Sequence, residues 1–214
     1  MIGIFGGTFD PIHCGHLRAI VELRDALALD EVRVVPCARP AHRDAPAAPP
    51  AARVAMLRAA LRSMRGCVVD ERELARPGPS YTVDTLSELR AEFPATSLCL
   101  LLGQDAFAGL ARWHRWRELF ELAHVVVARR PGTAVDGLPA ELAAEVRARA
   151  ASGPAQLRDE VAGCIHFCDT TELAVSSTAL RGFAAARRSL QWLVPEEVAR
   201  MIDTNAWYTG ELNG

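Results

Sequence analysis

Met1-Ile2-Gly3-Ile4-Phe5-Gly6-Gly7-Thr8-Phe9-Asp10-Pro11-Ile12-His13-Cys14-Gly15-His16 opens the chain and decides its fold class. The apolar run Ile2–Phe5 predicts a buried strand. The run breaks at Gly6-Gly7, and His13-Cys14-Gly15-His16 opens a helical stretch. A strand, a glycine turn and two histidines one turn apart at a helix start make a place to hold a polyphosphate. The glycines let the backbone come close to a ligand. The free N–H groups and the positive end of the helix favour an anion. Histidines there donate to phosphate oxygens, more strongly when protonated. Gly6-Gly7 by itself is a weak signal, and it does not match the dinucleotide fingerprint G-x-G-x-x-G.

Outward from this segment, short apolar runs alternate with helical patterns. Strands are expected at Glu31–Pro36, Cys67–Asp70, Ser97–Leu102, His124–Ala128 and Cys164–Phe167. Helices are expected at Leu17–Leu29, Ala51–Ser63, Ser80–Phe93, Trp113–Leu122, Leu138–Ala151, Ser177–Ala186 and Pro195–Thr204, the last with proline in its first position. Strands apolar throughout, in βαβα alternation, predict an α/β fold. Its core is a Rossmann-like, doubly wound parallel sheet with helices on both faces, followed by a small C-terminal helical part. Ligands in such sheets bind beyond the carboxyl ends of the strands. The unusual residues fall at such ends: Gly6–His16, Cys37–Arg43, Gly103–Asp105 and Arg129–Gly132. The Pro/Ala-rich stretch Ala45–Ala52 reads as a mobile loop and Ala134–Pro154 as a helical excursion. No repeat or domain boundary is evident, so residues 1–214 are read as one domain.

The 214 residues suffice for a substantial core, with 50% hydrophobic and 23% charged residues. No apolar run approaches the ~20 residues of a membrane helix, and no signal-peptide pattern precedes the first strand. A cytoplasmic protein without membrane attachment is expected. The net charge of −2 provides no footprint for nucleic acid. All 24 basic residues are arginine, because the chain has no lysine. A Schiff-base lysine and a P-loop lysine are thereby excluded, and phosphate must be met by arginine, histidine, hydroxyls or backbone N–H. The six cysteines are scattered, without a C-x-x-C pair, and read as buried thiols in a reducing compartment. Taking His13, Cys14 and His16 as metal ligands lacks a third or fourth ligand at suitable spacing, so no metal ligand is assigned.

Gly-Gly-Thr-Phe-Asp-Pro-x-His-x-Gly-His, with His13-Cys14-Gly15-His16 at its end, resembles the nucleotidyltransferases that share an (H/T)-x-G-H motif with class I aminoacyl-tRNA synthetases. Ser176-Ser177-Thr178-Ala179-Leu180-Arg181 resembles the second motif of that family, I-S-S-T-x-x-R. Physically it is another helix start, with hydroxyls at the cap and an arginine one turn inward. Three further segments resemble bacterial nicotinate mononucleotide adenylyltransferases: Asp70–Leu74 followed by Pro79–Leu86, Gly103-Gln104-Asp105 followed by Trp113, and Arg129–Gly132. Pro40-Ala41-His42-Arg43 is similar to that family's P-P-H-R loop, with alanine second. The likeness runs in order from residue 2 to about residue 200.

This resemblance implies a Rossmann-like enzyme that joins ATP, carried with Mg²⁺, to nicotinate mononucleotide and releases pyrophosphate. It implies that His13 and His16 contact the triphosphate, and that Arg181 binds the leaving phosphates with Ser176, Ser177 and Thr178. Gly7, Thr8, Phe9 and Gly15 would meet the nucleotide through backbone, Gly103 would lie beside it, and Asp105 would bind a ribose hydroxyl. For the acceptor, Trp113 would stack on the ring, and Tyr81 and Thr82 would sit where helix N–H groups meet its carboxylate. His42, Arg43 and Arg130 are candidates for its phosphate. Rivals are an enzyme using nicotinamide mononucleotide or pantetheine phosphate, and a non-catalytic nucleotide-binding module. The sequence leaves the oligomeric state open, a homo-oligomer included.

Overall fold

The computed structural model describes residues 1–40, 45–132 and 137–209. Six strands form one wholly parallel sheet: β1 (Ile2–Gly7), β2 (Glu31–Pro36), β3 (Cys67–Val69), β4 (Leu98–Gly103), β5 (His124–Arg129) and β6 (Ile165–Asp169), in the order β3-β2-β1-β4-β5-β6. The chain works outward from β1 to one edge, then returns to the other side of β1. Every inner strand is covered on both faces, which explains the continuous apolar runs.

The period of two along each strand sorts the core into two layers. Cys99 and Leu101 of β4 join Phe5, Val32, Val34 and Val126 on one face. There they pack against α1 (Cys14–Leu27), α2 (Pro50–Leu61), α9 (Ser177–Ala185) and α10 (Glu196–Thr204). Leu100 and Leu102 point the other way with Ile4, Val125 and Val127. They meet α4 (Thr82–Glu92), α5 (Gln104–Ala108), α6 (Leu119–Leu122) and α7 (Ala140–Arg149). The expected C-terminal helical part is α9 and α10, and α10 packs against α2.

Helix boundaries moved where local chemistry overrode the apolar pattern. The first helix starts at Cys14 rather than Leu17, because His13 caps it with its own ring. The helix expected from Ser80 starts at Thr82, since Ser80 is used to bridge loops. Trp113–Leu122 is not one helix. It contains a 3₁₀ turn at Trp116–Glu118 followed by α6, and Arg115 at φ +52° interrupts any continuous turn. Short helices at Arg72–Ala75 (α3) and Pro154–Asp159 (α8) had no expected counterpart. Pro195 is the cap of α10, one residue before its first position. The Ala45–Ala52 stretch is loop only as far as Pro49. Ala47 and Ala48 donate their N–H groups to Asp10 at 2.7 and 3.0 Å, and α2 begins at Pro50. All six cysteines are free, three buried and three half-buried. Among the described residues, no helix is long and apolar enough to cross a membrane.

The end of the sheet away from the carboxyl termini is clipped by one side chain. Arg90 donates to the carbonyls of Leu122, Phe93, Thr96 and Val161 at 2.7–3.0 Å, all in the connections that lead toward β4, β5 and β6. Charge-assisted bonds of this kind are stronger than neutral ones. Arg90→Ala is expected to cost on the order of 2–3 kcal/mol of stability in urea titration, with Arg90→Lys recovering little because one ammonium cannot span the same carbonyls. Loss below ~0.5 kcal/mol would contradict this role.

Candidate active site

The sheet itself opens the crevice. β1 pairs with β4 only from Ile2↔Leu98 to Ile4↔Leu100, while its pairing with β2 continues to Gly7↔Pro36. Beyond Ile4, β1 and β4 part, and the chain emerges at Gly7 on one side and Gly103 on the other. This is where the strand order reverses, the usual ligand position in open parallel sheets.

The loop after β1 is tightly built. Phe9 holds φ +49°, unusual for a residue with a side chain, and its ring is buried. A Cβ at Gly7 would lie 2.9 Å from the Phe9 ring, so Gly7 is glycine because that ring packs on its backbone. Phe9 thus brings only backbone to the crevice. Thr8 presents its carbonyl inward to Arg53 Nη1 at 2.7 Å.

His13 and His16 cap α1 reciprocally. The His16 N–H donates to His13 Nδ1 at 3.4 Å, and the His13 N–H donates to His16 Nδ1 at 3.3 Å. It is a capping box with imidazoles in place of a hydroxyl and a carboxylate. The rings stack, with centroids 3.6 Å apart. A Cβ at Gly15 would sit 3.1 Å from His13 Nδ1, so the glycine between the histidines makes room for this stack. Each Nδ1 accepts from backbone, which puts the proton of the neutral ring on Nε2. Burial lowers His13 to about 4. Burial, then the neighbouring His13, lowers His16 to about 3. Both rings are neutral near pH 7 and carry an outward Nε2–H donor.

The second motif docks on the first across 166 residues. Ser177 Oγ donates to the Pro11 carbonyl at 2.9 Å. Arg181 Nη1 donates to the Asp10 carbonyl at 2.8 Å, and Nη2 reaches Thr178 Oγ1 at 3.4 Å. Ser176 caps α9 through the Ala179 N–H at 3.2 Å. The two helix starts therefore face one crevice, with Arg181 partly exposed beside it.

On the β4 side, Gly103 is the exposed cap residue of α5, and Asp105 lies exposed in its first turn. α4 begins after Tyr81, with no side-chain cap on its first N–H groups. The Trp113 segment folds over this start: the His114 ring lies 4.3 Å from the Tyr81 ring, and Arg115 Nη1 is 3.6 Å from Asp84. Trp113 itself is half-buried against the core layer beneath. Ser80 ties this side to the loop after β2. Its Oγ accepts the Ala38 N–H at 3.1 Å and shares a hydrogen bond with the buried Glu73, which also accepts from Thr85 at 2.8 Å. Arg130 is ion-paired with Glu172 at 2.7 Å on the exposed rim, so it must leave that partner to meet a ligand. His42 and Arg43 lie outside the described residues. Among the described residues, no group of three His, Cys, Asp or Glu side chains is arranged to hold a metal.

Four participants escaped the sequence reading. Asp10, Arg53, Tyr208 and Glu73 are buried or half-buried polar groups on four different segments; Asp10 and Glu73 lie inside segments that carry the resemblance but received no role, and Arg53 and Tyr208 lie outside them. A buried charge within an apolar helix, as Arg53 is in α2, was the signal available for it.

Residues 4–183 match the cytidylyltransferase-like family model. A Halorhodospira halophila protein named "Probable nicotinate-nucleotide adenylyltransferase" is 51% identical over 97% of this chain and 94% of its own length. A Methylococcus capsulatus protein of the same name is 46% identical over 97% of this chain and 99% of its own. The solved structure of Plasmodium falciparum nicotinic acid mononucleotide adenylyltransferase complexed with NaAD has the same fold, with TM-score 0.71 at 15% identity over 99% of this chain and 98% of that one. The chain belongs to the cytidylyltransferase-like family and, within it, to the nicotinate-nucleotide adenylyltransferases, which are nucleotidyltransferase enzymes.

Proposed function

We propose that this chain transfers the adenylyl group of ATP to nicotinate mononucleotide, giving nicotinate adenine dinucleotide and pyrophosphate, with His13, His16 and Arg181 as its catalytic residues. The observation that carries this reading is the docking of the two motif helices, through Ser177 on Pro11 and Arg181 on Asp10, at the point where β1 and β4 part. A triphosphate lying there would meet neutral Nε2–H donors from one helix and a guanidinium from the other.

The chemistry needs no general base. The acceptor's phosphate oxygen is already ionised at neutral pH and attacks the α-phosphorus in line. One P–O bond forms as the bond to the β-phosphate oxygen breaks, and pyrophosphate takes the electron pair. Catalysis is then positioning and stabilisation of charge. His16 and His13 donate to the triphosphate, and Arg181 draws charge from the departing pyrophosphate. Ser177 contributes by fixing α9 against Pro11, since its proton is engaged there. Mg²⁺ would arrive with ATP, held mainly by phosphate and water oxygens.

The acceptor fits the β4 side. The uncapped start of α4 presents N–H groups and a positive helix end to a carboxylate, which an amide cannot exploit as well. Tyr81, Thr82 and Trp113 border that position; Asp105, exposed in the first turn of α5, would bind a ribose hydroxyl, and Arg130 would turn from Glu172 to the acceptor's phosphate. Six free thiols suit a reducing, cytoplasmic setting.

Pyrophosphate release that requires both ATP and nicotinate mononucleotide tests the activity directly; no release with both present would overturn it. His16→Ala is expected to lower kcat by roughly 10²–10³-fold, as for other lost transition-state donors, while its stability falls only by about the 0.5–2 kcal/mol of a lost helix cap. Near-normal turnover in that variant would remove His16 from the chemistry. The buried imidazoles also set a pH dependence. They titrate near 3–4 when folded and near 6.5 when unfolded, so the unfolded chain takes up more protons in between. Their contribution to stability is complete above that window and is lost as pH falls through it. The ligand-free melting temperature should therefore drop from pH 7 to pH 5, and drop less in a His13→Gln/His16→Gln variant. Equal slopes would contradict neutral, buried histidines.

A further inference from the structure

The residues that hold Arg181 in place extend beyond both motifs. Its Nη1 donates to the carbonyl of Asp10, so the backbone at Asp10 sets where the guanidinium points. Asp10 is 3% exposed, and its carboxylate is fixed from three directions. Oδ2 accepts from the Ala47 N–H at 2.7 Å and lies 3.8 Å from Arg181 Nη1. Oδ1 accepts from the Ala48 N–H at 3.0 Å and from the Tyr208 hydroxyl at 2.7 Å. Arg53, fully buried in α2, holds the Thr8 carbonyl two residues upstream.

Tyr208 lies 198 residues from Asp10 and beyond the span matched by the family model. It follows α10, and its ring, with Trp207, packs on the same core layer as α1, α2 and α9. That packing already anchors the segment, so the hydroxyl is not needed to hold the ring. Burial and the bond to the anionic Asp10 both push its ionisation upward, so it remains a proton donor. A tyrosine whose ring is secured by packing and whose only polar atom is aimed at a buried aspartate is arranged to orient that aspartate.

We propose that Tyr208 is a positioning residue for adenylyl transfer: its hydroxyl fixes the Asp10 carboxylate, and thereby the backbone that aims Arg181 at the triphosphate. This rests on the reading of Arg181 as the group that meets the leaving phosphates. Without the hydroxyl, the carboxylate is held only by the Ala47 and Ala48 N–H groups, and the backbone that aims Arg181 is less tightly fixed. Among the described residues, nothing in this chain of contacts reaches Tyr81, Thr82 or Trp113, so the groups proposed to hold the acceptor's ring and carboxylate keep their places.

Tyr208→Phe keeps the ring and removes only the hydroxyl. It should lower kcat/KM for ATP roughly 3- to 30-fold at a temperature where the variant is fully folded, with KM for nicotinate mononucleotide within twofold of the parent and a fall in melting temperature no larger than one lost buried hydrogen bond accounts for. Arg181→Ala should itself impair ATP use, and adding Tyr208→Phe to it should cost less than a further twofold, because the route through Arg181 is gone. Arg181→Ala with parental ATP kinetics would sink the role of Arg181 and, with it, the relay. Given an impaired Arg181→Ala, three results would overturn the proposal alone: parental ATP kinetics in Tyr208→Phe, a loss that follows the melting temperature or extends to KM for nicotinate mononucleotide, or effects of the two substitutions that multiply.

Discussion

The two bonds that join the helix starts, Arg181 to the Asp10 carbonyl and Ser177 to the Pro11 carbonyl, hold the rest of the site together. Each closes a loop of more than a hundred residues and brings a positive helix end to the same place. The sheet makes this possible by releasing β1 from β4 after Ile4 while β2 stays paired to Gly7. Backbone thus diverges where a ligand must enter, and the polar groups freed by that divergence are the ones a polyphosphate needs. Asp10 serves as the joint between the first motif, the chain entering α2, and the C-terminal tail.

The histidine pair shows how a fold sets chemistry through capping. Two imidazoles that cap one another must both present Nδ1 to backbone, and burial disfavours protonation of both, with the neighbouring His13 adding to it at His16. The outcome is two neutral donors of fixed tautomer. Donors that neither titrate nor rotate near pH 7 lose little in reorganisation when charge develops in the transition state. The glycine between them is needed for the same reason, since any side chain there would press on the His13 ring.

Much of this was legible in the residues, and the reasons differ by element. Glu31–Pro36 was read at its true boundaries, because Val32, Val34 and Val35 give a strong β-branched signal and Glu31 and Arg33 fall at the half-buried positions between them. The motif residues Gly7, His13, His16, Ser177 and Arg181 were legible because their chemistry is local to a helix start or a turn. The start of the first helix was legible in His13-Cys14-Gly15-His16, whereas the apolar pattern alone set it at Leu17, because a histidine cap does not look like the usual Ser, Thr, Asp or Asn. The Trp113–Leu122 helix failed because Arg115 adopts a left-handed conformation that apolar periodicity does not reveal. Ala45–Ala52 looked loose from its composition, whereas its N–H groups are held by a carboxylate 37 residues away. Tyr208 and Arg53 were invisible for the same reason: their meaning lies in long-range pairing, which spacing along the chain does not record.

The central claim is a direct, in-line displacement at the α-phosphorus, held between two helix starts without a covalent enzyme intermediate. Stereochemistry at that phosphorus tests it most directly. With ATP made chiral at the α-phosphorus by a sulfur substitution, and nicotinate mononucleotide as acceptor, the dinucleotide product should show inverted configuration. Retention would mean two displacements through an adenylylated enzyme, and would contradict the account.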